Sequence, residues 1–153
     1  MNLTELKERQ DISQNRERNR IYIQFGNLLN ELDKQPLPHE ITEQINQEIN
    51  EINATDRTGY ELIKLVKEKQ TKVIRLVEKQ LKIVPMKYYS KLWLALGMAT
   101  FGLPIGVAFG LSIGNMAMLA VGLPVGMAIG AAVGAGMDKK AFEEGRQLAI
   151  EIK

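Results

Sequence analysis

The chain changes character at residue 92. Before it, apolar residues are sparse and recur at helical spacing; from Leu92 to Met137, 46 residues carry no charge. In the first stretch Ile21, Phe25, Leu28 and Leu32 fall on one face of a helix, and Asn2 with Glu5 has the form of a capping box that would open a helix near the N-terminus. KQPLPHE stops this helix, because Pro36 and Pro38 cannot continue it, and Pro38 suits the first turn of the next. That next helix carries Ile41, Ile45, Ile49 and Ile52, a narrow stripe on a polar rod that suits a coiled-coil partner better than a globular core.

After the break NATDRTG, Thr58 and Glu61 form a second capping box. It opens a third helix running toward Pro85. Leu62, Val66, Val73, Val77, Leu81 and Val84 line one side, and Lys64, Lys67, Lys72, Arg75, Lys79 and Lys82 supply the rest. This pattern fits a helix–helix seam or a basic amphipathic helix lying on anionic lipid.

A spanning helix needs roughly 20 apolar residues, so the uncharged stretch holds two, 92–114 and 116–137, with the turn at Gly114-Asn115. One continuous helix would far exceed a hydrocarbon core of about 30 Å. Lys87, Tyr88, Tyr89 and Lys91 precede the pair, Trp93 lies at its entry, and Lys139 and Lys140 follow it, the residue types that anchor at a bilayer interface. Because both flanks are basic, both termini are expected in the cytoplasm.

Within the uncharged stretch one phrase occurs twice: GLPIGVAFGLSIG at 102–114 and GLPVGMAIGAAVG at 122–134, identical at seven of thirteen positions. Glycines recur every four residues at Gly102, Gly106, Gly110 and Gly114, then at Gly122, Gly126, Gly130 and Gly134. Residues four apart share a helix face, so each run is a groove without side chains that lets backbones approach in lipid. The positions between the glycines are also small or compact: Pro104, Ala108 and Ser112, then Pro124, Ala128 and Ala132. Each helix is therefore thin on two opposite faces, which suits a palisade closed into a homo-oligomeric ring. The large–small alternation also has the period of a strand. Membrane strands, however, alternate apolar with polar, and Pro and Gly weaken strands. The glycines do not form a phosphate loop, since no Lys or acid lies within the repeats. Pro104 and Pro124 each remove a helix hydrogen bond, to the carbonyls of Thr100 and Ala120, and are candidate kinks or hinges. Asp138 would cap a last helix spanning 138–153, with Phe142, Leu148, Ile150 and Ile152 as its apolar residues and Gly145 as a weak point.

Charge sharpens this division. Residues 1–61 carry seven Lys/Arg and twelve Asp/Glu, a net of −5, and residues 62–91 carry nine and two, a net of +7. The segments expected are a cytoplasmic helical module at 1–56, a basic juxtamembrane helix at 57–91, the two spans, and the C-terminal helix. The first twenty residues hold no apolar run of the signal-peptide type, so insertion is expected from the internal segment. With no cysteine, disulfides and thiol chemistry are excluded. His39, the one histidine, lies at a helix start, and no carboxylate–histidine cluster has metal-ligand spacing. No catalytic, cofactor or metal site is expected, and the protein does not read as an enzyme. The basic stretch lacks interleaved aromatics, so nucleic acid is not an expected partner.

The stretch 102–148 resembles small bacterial glycine-zipper membrane proteins, in its two G-x-x-x-G runs, in Gly114-Asn115-Met116-Ala117 and in the exit DKKAFEEGRQL. The resemblance implies a two-helix hairpin in a bacterial membrane and no assigned chemistry. The fold class expected is all-α, a glycine-zipper transmembrane hairpin with a helical, coiled-coil-like cytoplasmic region. The function expected is a homo-oligomeric channel, pore or membrane-perturbing effector of the bacterial inner membrane, controlled by that region. The alternative is a non-conducting anchor or scaffold that recruits a protein partner through its N-terminal helices. In either case anionic headgroups are expected to meet the basic flank.

Overall fold

The computed structural model describes residues 2–9 and 15–152, with only the backbone of Met118. These residues are mostly helical. They form α1 (Arg16–Asp33), α2 (His39–Ala54), α3 (Gly59–Leu81), β1 (Val84–Met86), α4 (Tyr88–Gly97), a π-helical turn (Met98–Gly102), α5 (Leu103–Ile113), a 3₁₀ turn (Met116–Met118), α6 (Leu119–Glu143) and β2 (Gln147–Glu151). The chain divides into two compact units, Met1–Val84 with Leu148–Ile152, and Pro85–Gln147.

In the first unit α3 packs against both α1 and α2. Asn15 caps α1, its side chain accepting the Arg18 N–H at 3.0 Å. The faces read from the periodicity close on one another: Phe25, Leu28, Leu32, Ile45, Ile49, Ile52, Leu62, Val66, Val73 and Val77 are all fully buried. Two expectations change here. The isoleucine stripe of α2 is consumed within the chain and is not left for a coiled-coil partner. The apolar face of α3 is buried too, so this helix does not lie on lipid by that face; it belongs to the same unit as α1 and α2. Thr58 takes the N-cap position of α3 but makes no capping hydrogen bond.

Lys69 departs from the expected solvated basic face. It lies among the buried residues of α3 and pairs with Glu48 at 2.6 Å and with Glu51. Burial pulls its pKa down, but the hydrogen bonds to Glu48 and Glu51 outweigh this, and the net shift is upward. The hydrogen bond from Lys69 holds the Glu51 carboxyl below its ordinary value. His39 is exposed and stands 3.7 Å from Glu43 one turn on.

Residues 2–9 do not start a helix. The backbone N–H groups of Leu3, Thr4 and Lys7 go to side chains of α1 and α2 rather than to carbonyls of their own segment, and the segment runs as an extended strap. The C-terminal helix is also absent. α6 continues to Glu143 and ends at Gly145, whose φ is +68°. Gly145 N–H bonds to the Phe142 carbonyl at 3.0 Å and Arg146 N–H to that of Ala141 at 2.8 Å. This is a Schellman stop, with glycine at the left-handed position. Gly145 therefore terminates a helix instead of weakening one, and the chain continues into β2, which pairs with β1. Leu148 is buried there while Phe142 stands exposed.

Candidate functional site: a glycine-lined helical hairpin

In the second unit α4, the π turn and α5 run on as one rod, Tyr88–Ile113, of 26 residues, and α6 spans 25; both are long and apolar enough to cross a membrane. At 1.5 Å per residue each is nearly 40 Å long. Both begin or end outside the expected limits, because Tyr88–Lys91 and Asp138–Glu143 are helical as well. The turn falls where the sequence places it. Gly114, at φ +70°, closes α5 with its N–H on the Gly110 carbonyl, and the Asn115 side chain accepts the Ala117 N–H at 3.0 Å.

The rods pack antiparallel along their glycines. A methyl group on Gly106 would come 2.9 Å from Leu119 Cα, one on Gly126 would come 2.5 Å from the Gly97 carbonyl oxygen, and one on Gly134 2.6 Å from Ser90 Cα. On Gly122 or Gly130 it would lie under 3.0 Å from the backbone of Gly102 or Trp93. No Cβ fits against rigid backbone at such separations, so glycine is what permits this approach. Gly102 and Gly110 are looser members: the Cβ distance is 3.1 Å from Gly102 to the Gly122 carbonyl oxygen and 3.2 Å from Gly110 to Met116 Sδ. Gly114 is not in the interface, since nothing lies within 4 Å of its Cβ position; its role is the turn.

The interface recruits residues beyond the two repeats. Gly97 stands five residues before Gly102, not four. On a regular helix that offset would turn it about 140° off the glycine face. The π turn absorbs the extra residue, with Leu103 N–H bonding back to the Met98 carbonyl, and Gly97 returns to the face. Pro104 follows directly, supplying no N–H to the Thr100 carbonyl inside that turn. Pro124, its counterpart in the second repeat, lies within a continuous α-helix. The two prolines therefore sit in different local structures.

Asp138 continues the series 122, 126, 130, 134 by one more step of four, and this carboxylate is nearly buried. It does not cap a following helix. It caps α4 from across the hairpin: Oδ1 accepts the Tyr89 N–H at 2.9 Å, and Oδ2 accepts the Ser90 N–H at 2.9 Å and the Ser90 hydroxyl at 2.5 Å. A carboxylate at a helix N-terminus satisfies orphan donors and complements the dipole. Ser90, Gly97 and Asp138 are the site residues that the repeats do not announce. Their signals are the five-residue gap, and an acid four residues past the last glycine.

The interface-type residues gather at this clamped end. Lys87 precedes α4 in the left-handed region at φ +59°. Tyr88 and Tyr89 stack edge to face at 5.2 Å. Lys91 is exposed, and Trp93, one turn on from Tyr89, is half-buried. Lys139 and Lys140 stand on α6 beside Asp138, 3.7 Å from Glu143 and 3.8 Å from Glu144. The outer surface of the hairpin is apolar, with Leu103, Val107, Phe109, Leu111, Val121, Val125 and Val133 exposed. The second thin faces, Pro104, Ala108 and Ser112 on one helix and Pro124, Ala128 and Ala132 on the other, are exposed too. One thin face of each helix is thus closed within the chain and the other is open. Among the described residues no group of His, Cys, Asp and Glu could hold a metal ion.

Comparison of the chain with known protein families, characterised proteins and solved structures finds no match.

Proposed function

We propose that this protein is a two-span anchor that fixes its helical unit to the cytoplasmic face of a bacterial inner membrane, both termini inside. The observation that carries this reading is the hairpin surface. The glycine zippers close on each other within one chain and the exterior carries no charge from Leu92 to Met137, a surface solvated by lipid and not by water. The clamp at Asp138 and the aromatic and basic residues beside it suit the headgroup level, where anionic lipid would meet the lysines. The function is then to hold a partner-binding unit at the membrane. The test is alkaline carbonate extraction of membranes from cells producing the full chain. Retention in the pellet is expected; release into the supernatant would overturn the reading.

A second reading, a homo-oligomeric channel or pore, is favoured by one observation. The thin faces through Ala108 and Ala128 stay open, and in lipid such small residues would let a second copy pack closely, at a wider separation than the glycine faces reach. Planar-bilayer recordings separate the two. Stepwise conductance that is lost in Ala108→Leu/Ala128→Leu supports the ring, and a silent bilayer supports the anchor.

A further inference from the structure

The extended strap at residues 2–9 is held in a manner that does not depend on most of its side chains. Asp33 accepts the Leu3 N–H at 2.8 Å, and Asn46 accepts the Thr4 N–H at 2.7 Å. Asn53 accepts the Lys7 N–H and donates to the Glu5 carbonyl, both at 2.9 Å. From α1, the Tyr22 hydroxyl donates to the Lys7 carbonyl at 2.6 Å. All five of these bonds read peptide groups, which every polypeptide carries.

The spacing is a register match. Asn46 and Asn53 are seven residues apart on α2, two turns on one face and about 10 Å along the axis. Thr4 and Lys7, whose N–H groups they accept, are three residues apart, also about 10 Å in an extended chain. Arg9 completes the strap, donating to the carbonyls of Thr55 at 2.9 Å and Arg57 at 3.0 Å just past the end of α2, where a cation complements the helix dipole. Four strap side chains are half-buried, Leu3, Thr4, Leu6 and Arg9; the two leucines and the arginine are the ones whose chemistry an incoming peptide would have to reproduce.

The strap is not part of the core. None of the fully buried side chains belongs to it. It also underfills its groove: a cavity of about 460 Å³ lies beside it, bordered by Leu3, Leu6, Gly26, Leu29 and Asp33, and a Cβ on Gly26 would meet nothing within 4 Å. A segment held mainly by exchangeable hydrogen bonds, with none of its own side chains fully buried, is displaceable at modest cost.

We infer that the groove between α1 and α2 is a receptor for an extended peptide segment of another protein, of the form Leu-x-x-Leu-x-x-Arg, and that residues 2–9 occupy it in cis in the resting chain. Main-chain hydrogen bonds then supply affinity, and the two leucine positions with the arginine supply selectivity. Own-strap occupancy lowers the apparent affinity for the incoming peptide by the fraction of time the groove is open. This deepens the anchor reading by naming what the anchored unit would hold, and it rests on that reading for its purpose alone. Peptide binding is measured on detergent-solubilised full chain and anchoring by carbonate extraction, so either can fail while the other stands.

The experiment uses a fluorescein-labelled peptide of residues 2–9, NLTELKER, titrated with full-length protein and read by anisotropy. Thr4→Pro/Lys7→Pro in the protein removes two strap N–H donors and leaves the groove untouched. The peptide is expected to bind this variant at least about tenfold more tightly than the wild type. Adding Asn53→Ala, a half-buried surface change outside the core, is expected to abolish the gain while leaving the thermal unfolding midpoint within a few degrees. A peptide with both leucines replaced by serine is expected not to bind. Equal affinity for wild type and strap variant, or indifference to Asn53→Ala, would overturn the proposal. Energy transfer between mixed, separately labelled copies that the peptide abolishes would overturn it as well, since the occupant would then be the strap of a second copy.

Discussion

Two residues show how position rather than type decides a side chain's role. Gly130 and Gly136 lie on the same helix, yet a Cβ at Gly130 collides with the Trp93 backbone and one at Gly136 meets nothing within 4 Å. Gly136→Ala is therefore expected to stabilise by about 0.5–1 kcal/mol, as alanine does when it replaces glycine in an open helix position. Gly130→Ala is expected to force the helices apart. Trp93, the single tryptophan, reports both: its emission should shift in Gly130→Ala and stay in place in Gly136→Ala. Lys69 gives the matching case for charge. With the Lys69 pKa raised, the ion pair's contribution is present below the ordinary lysine value and lost as pH rises through the raised one. With the Glu51 pKa lowered, it is present above the ordinary carboxylate value and lost as pH falls through the lowered one. Lys69→Met/Glu48→Leu, which replaces the two less exposed members of the cluster by apolar side chains of similar length, is expected to cost little near neutral pH and to shrink both the acid and alkaline losses. Glu48→Gln/Glu51→Gln leaves a buried ammonium unpaired and should lower the unfolding midpoint clearly. Thermal melts followed by circular dichroism across the pH range test both variants.

Elements were legible where one period governs a long segment. The faces of α1, α2 and α3 follow from apolar spacing, and the two long helices of the hairpin from the absence of charge and glycines at every fourth position. The rest turned on information that period does not carry. The strap over residues 2–9 has local signals for a helix start, and what holds it extended is Asp33, Asn46 and Asn53, 30 to 46 residues away. β2 was hidden behind Gly145, read as a flaw in a helix when it ends one; beyond it Leu148, Ile150 and Ile152 alternate, the period of a strand. The π turn was hidden in a gap of five between Gly97 and Gly102, which looks like the loss of the glycine pattern and is its continuation. That gap makes an unusual prediction. Deleting one residue from a packed helix normally rotates everything before it by about 100°. Deleting exposed Ala99 instead leaves Gly97 four residues from Gly102, so an ordinary α-helix keeps both on the interface. The deletion is expected to preserve Trp93 emission and the thermal stability of the hairpin, whereas inserting one alanine after Ala99 should disturb both. A deletion as damaging as the insertion would show that the π turn serves some purpose other than register.

At the scale of the whole molecule, the decisive feature is that the first unit is discontinuous in sequence. It takes in Met1–Val84 and Leu148–Ile152, with the entire hairpin between them. Leu148 is among its fully buried side chains, and the Glu151 carbonyl accepts a hydrogen bond from Gln24 at 3.2 Å, so the returning strand is a structural member of that unit. A chain that leaves one compact body at residue 84 and rejoins it at residue 148 crosses a membrane an even number of times or not at all. This argument for sidedness is independent of the lysines at the flanks. It follows that reporter domains fused to the two termini should report the same side of the membrane. They should continue to do so when Lys87, Lys91, Lys139 and Lys140 are all replaced by glutamine, a change that the positive-inside rule alone predicts to weaken orientation. The same discontinuity predicts an order of events, because the unit cannot close until the hairpin has been made. Leu148→Ala is expected to destabilise the first unit by about 2–5 kcal/mol, read as earlier proteolysis within α1–α3, while Trp93 emission in the hairpin stays unchanged. If the proteolysis pattern of α1–α3 is indifferent to residue 148, the returning strand does not complete that unit and the argument for sidedness falls with it.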